Sequence, residues 1–276
     1  FRSARSFACI AAPGRHTVPM EFVVVPLVAL LASALTLFSG FGLGTILMPA
    51  FAIFFPVDVA VALTAVVHLL NNLFKLALLG RQAEGPVVLR FGVPALLAAF
   101  AGAWLLVSLA HVQPLASYEL AGRQCQISPV KLVLAFIISA FAILEVLPAF
   151  SRWSVDRKFL PLGGLISGFL GGLSGHQGAL RSAFLLRCGL QKEAFIASGV
   201  VIACLVDFAR IGVYGATFAW SDLEQNAALL LAAILSAFLG AFGGAKLMKK
   251  VTLRFVQLVV IAMLVVISLA LGTGLI

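Results

Sequence analysis

The sequence predicts an all-α fold of the polytopic helical membrane class, from its composition and its apolar runs. Of the 276 residues, 62% are hydrophobic and 11% are charged, and the mean hydropathy is +1.14. A soluble domain usually carries about 25% charged residues. Apolar runs of the length needed to cross a bilayer, about 20 residues, recur along the chain. They span 22–57, 59–79, 87–110, 130–147, 159–180, 194–219, 227–245 and 255–276.

Residues 1–20 differ from the rest and are expected to form a disordered leader. They contain Arg2, Arg5 and Arg15, no acidic residue, and no apolar core long enough for a signal peptide. One interpretation is that Met20 is the true start and the preceding residues are an upstream translation. The other is an organelle transit peptide.

The apolar runs belong to two copies of one unit, because the chain matches itself at an offset of 135 residues. The paired residues are Pro26/Pro161, Ser39/Ser174, Gly40/Gly175, Asp58/Glu193, Ala62/Ala197, Asn72/Asp207, Lys75/Arg210 and Gly80/Gly215. The offset shortens after the third run, where His111–Pro129 is an insertion without a counterpart. We therefore predict membrane repeats at 21–150 and 158–276, joined by a cytoplasmic linker at 151–157.

The first run of each repeat is predicted to be a broken helix, or helical hairpin, followed by three transmembrane helices. As one helix, Phe22–Phe55 would reach about 50 Å, which exceeds a hydrocarbon core of about 30 Å. Glycines interrupt it at Ser39–Thr45, and they interrupt the matching run at Gly171–Gly178. Each run is therefore expected to enter the membrane and turn back.

The distribution of charge between the runs predicts that the two repeats are inverted. Basic residues concentrate in the connections 80–90, 151–158 and 246–254, and the positive-inside rule places all three in the cytoplasm. The acidic connection Ser221–Glu224 and the uncharged C-terminus then lie outside, in a bacterial-type inner (plasma) membrane. Three apolar blocks lie between the cytoplasmic connections 151–158 and 246–254, and an odd number of crossings cannot return the chain to the same side. One block must therefore enter the membrane and turn back. A repeat made of one hairpin and three crossings ends on the side opposite to its start, so the second repeat is inverted.

The overall charge excludes some functions and leaves others open. The net charge is +9, but Lys and Arg lie mostly between apolar runs, which is typical of contact with anionic lipids rather than nucleic acid. The four cysteines, Cys9, Cys125, Cys188 and Cys204, show no metal-ligand spacing. No nucleotide-binding loop is visible, so we expect no cofactor and no direct use of ATP. The expected partners are a small anion and the lipid bilayer, and a homodimer remains open.

A stripe of polar residues marks the predicted helix 57–80. Thr64, His68, Asn71, Asn72 and Lys75 fall on one helical face, which in a membrane should point to the protein interior or to a water-filled path. On the matching helix the same face carries Gly199, Ala203, Asp207, Arg210 and Tyr214. Asp207 and Arg210 are spaced to pair. Structural roles are the alternatives. Lys75 and Arg210 would then extend to the membrane–water interface, and Asn71 and Asn72 would only form hydrogen bonds between helices.

The tip of the second predicted hairpin adds a second polar group. The half-helix from about Gly178 would direct its positive N-terminus into the membrane, beside His176, Gln177 and Arg181. Helix N-termini with cations and amides favour an anion. The candidate substrate-binding residues are Ser39, Gly40, Gly42, His68, Asn71, Asn72, Lys75, Ser174, Gly175, His176, Gln177, Arg181 and Arg210. Asp207, His68 and His176 are candidates to carry a coupled proton.

Two segments, Ser39–Gly80 and Ser167–Val201, resemble the TauE/SafE sulfite-exporter family, also called the TSUP permeases. The resemblance rests on a duplicated glycine-rich turn, then a short apolar helix, then a helix that opens with Pro or Gln followed by an acid and alanines. It covers residues 21–276. The turns GFGLG and GLSGHQG depart from the family's commoner GxGGG. The resemblance implies a secondary transporter of sulfite, organosulfonates or related sulfur-containing anions.

Two other classes of function compete with transport. Gly172–Gly175 matches GxSG, the serine motif of rhomboid-type membrane proteases, so Ser174 is a candidate nucleophile of an intramembrane hydrolase. Glycine pairs at i and i+4, such as Gly164/Gly168, Gly168/Gly172 and Gly240/Gly244, would also suit a non-transporting scaffold. Arg181 near the serine motif favours an anion, and a scaffold gains nothing from buried basic residues.

Overall fold

A computed structural model describes residues 19–39, 42–120, 122–146, 155–247 and 253–276, and within them the chain is almost entirely helical. The first repeat contains α1 (Glu21–Ser39), α2 (Leu43–Ala52), α3 (Val57–Leu79), α4 (Gly85–Ala110) and α5 (Pro129–Val146). The second contains α6 (Leu160–Ser174), α7 (Gly178–Leu185), α8 (Lys192–Tyr214), α9 (Trp220–Gln225), α10 (Ala227–Leu247) and α11 (Leu253–Thr273). The predicted leader lies outside the described residues, apart from its last two.

The all-α membrane class is confirmed by the lengths and composition of these helices. In the described part of the chain, three helices are long and apolar enough to cross a membrane: Val57–Ala77, Gly85–Ala110 and Lys192–Thr217. Shorter apolar helices accompany them at Glu21–Thr36, Leu43–Ala52, Pro129–Leu144, Ala227–Gly243 and Ile261–Thr273. Large apolar side chains such as Phe242, Phe136 and Trp104 are exposed, as expected of faces that meet lipid. The exact repeat boundaries stay a prediction.

The second broken helix is a hairpin, because α7 runs back along α6. Gly175 closes α6 in the left-handed region with φ 81°, where a side chain is disfavoured. The Ser167 hydroxyl then donates to the carbonyl of Gln177 at 2.9 Å. Further down the hairpin, a Cβ on Gly163 would lie 2.5 Å from the ring of Phe184. The two contacts join residues that lie progressively further from the turn on each side, as in two antiparallel helices.

The first broken helix has the same form. Gly42, with φ 113°, precedes α2, and its missing Cβ would lie 3.1 Å from the Thr36 side chain. Leu43 and Ile46 of α2 pack with Ala32 of α1 in one buried cluster. Each repeat therefore begins with a hairpin. In the first repeat α3, α4 and α5 follow it, and in the second α8, the short α9, α10 and α11 follow it.

The two repeats pack against each other through four pairs of helices, each pair with one helix from either repeat. Helix α4 lies along α6, and the corresponding helices of the opposite repeats, α10 and α1, lie along each other. Helices α3 and α8, which are equivalent, pack together, and so do α5 and α11. The fold therefore has an approximate two-fold relation, with α3 and α8 meeting where the repeats join.

Glycines permit the closest of these contacts. A Cβ on Gly164, Gly168 or Gly172 of α6 would lie 2.1–2.2 Å from a backbone carbonyl oxygen of α4. A Cβ on Gly240 of α10 would likewise lie 2.2 Å from the Leu30 carbonyl oxygen of α1. Small residues let membrane helices approach this closely and gain van der Waals contact. Gly164, Gly168, Gly172 and Gly240 thus let helices of the second repeat pack closely against helices of the first.

The insertion His111–Pro129 contains the only β-strands in the described part of the chain. Strands β1 (Ala116–Leu120) and β2 (Arg123–Ile127) pair antiparallel in a small hairpin. Gln126 N donates to the Gly274 carbonyl, and the Tyr118 hydroxyl donates to the Thr273 carbonyl at 2.6 Å. The strands therefore join the first repeat to the end of α11. The sequence marks this segment as unmatched but does not predict its strands.

Candidate functional site

The two polar stripes meet in the interior, where α3 and α8 pack together. On α3 the side chains of Thr64, His68, Asn71, Asn72 and Lys75 are all buried. On α8 the residues of the matching stripe are also buried: Gly199, Ala203, Asp207, Arg210 and Tyr214. Arg210 is 0% exposed and Lys75 is 6% exposed. Neither therefore reaches the interface, which was the alternative interpretation of their positions.

Asp207 is the centre of the hydrogen-bond network. Its Oδ1 accepts from Arg210 Nε at 3.0 Å and from Arg210 Nη2 at 2.7 Å, which confirms the expected pair. Its Oδ2 lies 2.6 Å from His68 Nδ1 and 3.4 Å from Asn72 Nδ2. A carboxylate only accepts, so the imidazole donates from Nδ1. Asn72 and Asp207, which are equivalent residues of the two repeats, thus meet in one network.

The two hairpin tips close around this network. A Cβ on Gly44 would lie 3.5 Å from the Gly175 carbonyl oxygen and 3.6 Å from His68 Cδ2. A Cβ on Gly175 would lie 2.8 Å from Arg210 Nη1. Glycine is therefore favoured at 175, where φ is 81° and Arg210 approaches closely, whereas a Cβ on Gly44 would make ordinary van der Waals contact with the second tip and with His68.

The second tip brings three more polar side chains into the interior. His176, Gln177 and Arg181 are each at most 3% exposed. Arg181 Nη1 donates to Gln177 Oε1 at 3.4 Å, and its Nε lies 3.5 Å from the position of a Cβ on Gly199. The His176 ring donates from Nδ1 to the Ser174 carbonyl at 3.0 Å and stacks on Phe141. This tip is therefore the charged one of the pair.

The buried charges do not balance. Among the described residues, the buried side chains with a permanent charge are Lys75, Arg181, Arg210 and Asp207. Lys75 and Arg181 lie within Coulombic range of each other, and Arg181 lies within range of Asp207. Three cations and one carboxylate leave an excess of two positive charges. Isolated buried charges are costly unless a counter-charge accompanies them.

Several buried polar atoms near these charges lack a protein partner. Within the described residues, the side-chain atoms of this kind are Thr64 Oγ1, Asn71 Nδ2, His176 Nε2, Gln177 Nε2 and Arg210 Nη1. The amide and guanidinium nitrogens among them can only donate. Buried polar groups are nearly always paired. Donors without partners beside excess positive charge are suited to the oxygens of an anion.

Some predicted residues lie at the edge of this site. Ser39 ends α1, while Gly40 lies outside the described residues and Gly42 shapes the first tip. Asn71 Oδ1 accepts from the Ser33 hydroxyl of α1 at 3.0 Å, so this asparagine does join helices. Ser174 donates to the Leu170 carbonyl at 2.9 Å, and the nearby His176 ring nitrogen is bonded to a backbone oxygen instead of the serine hydroxyl. The site roles of all these residues stay predictions.

Sequence reasoning missed residues that support the site: Ser33, Gly44, Ser167 and Phe141. Ser33 and Ser167 are single hydroxyls within apolar runs, and a lone serine carries no pattern. Gly44 belongs to the quoted GFGLG turn, so its closeness to the second tip was the one contact that the glycine pattern could have indicated.

Comparison with known protein families gives one match that covers most of the chain. The family model described as "Sulfite exporter TauE/SafE" matches residues 25–271, which includes both hairpins and both polar stripes. No curated protein and no solved structure matches the chain.

Proposed function

Because the chain belongs to the TauE/SafE sulfite-exporter family and is a membrane transporter, we propose that it exports sulfite or a related small sulfur-containing anion by alternating access. One observation carries this proposal: the excess of two positive charges buried among Lys75, Arg181, Arg210 and Asp207. An oxyanion supplies the missing negative charge. Its oxygens also match the donors that have no protein partner.

The proposed anion site lies between Lys75 of α3 and Arg181 of α7, beside the Gln177 amide. Arg210 is already engaged by Asp207 through two nitrogens, so its charge is largely compensated. Lys75 has no carboxylate within ion-pair distance among the described residues. These two cations therefore provide most of the attraction for the anion, while Arg210 Nη1 and Gln177 Nε2 offer directed hydrogen bonds.

The symmetry of the fold suits alternating access. Helices α3 and α8 meet at the repeat junction, and the two hairpin tips meet beside them, so access can shift between the two sides as one repeat moves against the other. Export of an anion is favoured by an inside-negative potential, by about 2.3 kcal/mol per charge per 100 mV.

The proposed orientation follows from the exposed charges. Arg81, Arg90, Arg157 and Lys158 are exposed at the ends of α3, α4 and α6, and the positive-inside rule assigns these ends to the cytoplasm of a bacterial-type inner membrane. Asp58 and Asp222 lie within Coulombic range of each other and belong to the opposite side. The C-terminus is then outside the cytoplasm.

The test is flux in proteoliposomes, with sulfite, sulfate, thiosulfate and methanesulfonate as probes. Arg181→Ala is compared with Arg187→Ala, since Arg187 is a basic residue of the same segment that is exposed beyond α7. We expect saturable flux in the wild type, loss in Arg181→Ala and retention in Arg187→Ala. Flux retained in Arg181→Ala moves the site toward Arg210, and no wild-type flux with any probe overturns the transport proposal.

The same samples separate the competing functions. Ser174→Ala should not abolish anion flux if Ser174 only shapes the tip through its bond to the Leu170 carbonyl. Labelling of Ser174 by a serine-directed fluorophosphonate, together with an absence of flux in the wild type, would instead support the hydrolase.

A further inference from the structure

His68 occupies a position that differs from that of every other candidate residue. Its Nδ1 lies 2.6 Å from Asp207 Oδ2, while the other edge of the ring faces the first hairpin tip. There Cδ2 lies 3.6 Å, and Nε2 4.0 Å, from the position of a Cβ on Gly44. Because Nδ1 donates to the carboxylate, the neutral ring carries its lone pair on Nε2.

The charge of this group changes by one unit with a proton on His68. Arg210 already neutralises Asp207 through two hydrogen bonds to Oδ1, so the three side chains sum to zero when the imidazole is neutral. Protonation at Nε2 makes them positive. Asp207 stabilises the imidazolium through Oδ2 and also fixes the ring, so the histidine side chain need not rotate, and the Asn72 amide, whose Nδ2 lies 3.4 Å from Nε2, is the group that faces the added proton.

His68 lies in a network of charged and titratable groups. Asp207 on α8 contacts His68 and lies within Coulombic range of Arg210 on α8 and Arg181 on α7, and Arg181 in turn lies within range of Lys75 on the helix of His68. Tyr214 and Cys204 are the uncharged titratable groups within range of Asp207. From α2 comes Gly44, at the positive N-terminal end of a helix. Apart from Asp207, each charge in this group disfavours an imidazolium.

An anion between Lys75 and Arg181 reverses this balance. Its negative charge stabilises the imidazolium, and the imidazolium in turn stabilises the anion, because coupling between two sites is reciprocal. We propose that His68 is the proton-carrying residue of this transporter, taking up a proton at Nε2 when the anion binds and releasing it when the anion leaves. The inference rests on the proposed anion transport. It predicts that a proton moves in the same direction as the anion and offsets one of the negative charges on which the membrane potential acts.

His176 does not have these properties. Its ring donates from Nδ1 to a backbone carbonyl and stacks on Phe141, and no carboxylate lies within ion-pair distance of it among the described residues. A protonated His176 would lack the counter-charge that Asp207 provides for His68. The proposal therefore assigns the proton to His68 alone among the candidate histidines.

The test measures protons and anions in the same vesicles. Purified protein is reconstituted in proteoliposomes with a pH-sensitive dye inside, and an outward gradient of sulfate or methanesulfonate is imposed. Neither probe gains or loses a proton near neutral pH, so the dye reports protons moved by the protein. We expect the wild type to move protons with the anion at a ratio near one. In His68→Gln and in the smaller amide His68→Asn the ratio should fall to zero.

The matched control is His111→Gln, because His111 is an exposed histidine at the end of α4. It should keep both flux and ratio, and His176→Gln should keep the ratio whatever its flux. Wild-type anion flux without protons, with protons moving the opposite way, or with the ratio unchanged in both His68 variants overturns the inference and leaves anion transport standing. No anion flux in the wild type overturns both.

Discussion

The two hairpin tips share a backbone plan but differ in chemistry. Each turns at a glycine in the left-handed region, Gly42 with φ 113° and Gly175 with φ 81°. The first tip, SGFGLG, has no ionisable side chain, whereas the second carries His176 and, one turn later, Arg181. One repeat thus provides space and backbone while the other provides charge. An approximate two-fold fold can therefore hold an asymmetric site.

The same division applies to α3 and α8, which are both 23 residues long. Asn72 on one corresponds to Asp207 on the other, and Lys75 corresponds to Arg210. The duplicated helices have diverged so that one carboxylate, on α8, serves partners from both repeats.

The largest effect should come from making the central pair alike. Asp207→Asn removes the carboxylate that pairs with Arg210 and His68 and lies within Coulombic range of Arg181, and breaking a buried ion pair costs about 3–5 kcal/mol. Thermal unfolding in detergent should show a large fall in Tm. Asn72→Asp combined with Asp207→Asn should recover part of the loss, since the Asn72 amide lies 3.4 Å from the Asp207 carboxylate. If Asp207→Asn alone were as stable as the wild type, the carboxylate would not be stabilising the buried cations.

A smaller but still large effect is expected at the glycine contacts between repeats. Gly168→Ala places a Cβ 2.1 Å from the Ala95 carbonyl oxygen and should destabilise the protein by about 1–3 kcal/mol through overpacking. Gly240→Ala tests the equivalent contact at 2.2 Å and should behave alike. The control is Gly212→Ala, which meets nothing within 4 Å and should be neutral or slightly stabilising. Equal Tm values for Gly168→Ala and Gly212→Ala would show that the helices are not this close.

The tips themselves can be compared by one substitution in each. Gly42→Ala and Gly175→Ala both force alanine into a left-handed conformation, at about 1–2 kcal/mol each. Only the Cβ at 175 also presses on Arg210 Nη1, at 2.8 Å. We expect similar losses of Tm and a much larger loss of anion flux for Gly175→Ala. Equal loss of flux in both variants would remove the functional distinction between the tips.

The smallest effect on stability is expected for Ser33→Ala. This variant tests whether Asn71 only connects two helices or also contacts the anion. Ser33→Ala removes the hydroxyl that donates to Asn71 Oδ1 and should cost about 1 kcal/mol of stability. Because Ser33 belongs to α1 and lies outside the proposed site, anion affinity should remain at the wild-type value. A changed affinity would place Asn71 in contact with the anion.

Much of this arrangement follows from sequence, and the rest depends on contacts between distant segments. The repeat, the glycine breaks and the helical faces of His68 and Asp207 are periodic or paired features, which a single chain displays. The pairing of His68 with Asp207 joins residues 139 positions apart, and no local pattern specifies it. The strands at Ala116–Ile127 were also missed, because a polar insertion between membrane helices has no burial pattern that distinguishes strand from loop.

The central claim is that excess buried positive charge on the second hairpin and α3 holds an anion. Its most direct test is equilibrium binding of radiolabelled sulfite to the purified protein, comparing the wild type with Arg181→Gln and the exposed control Arg187→Gln. Saturable binding that is lost in Arg181→Gln and retained in Arg187→Gln is the predicted result. Binding of sulfite to Arg181→Gln with wild-type affinity would contradict the account.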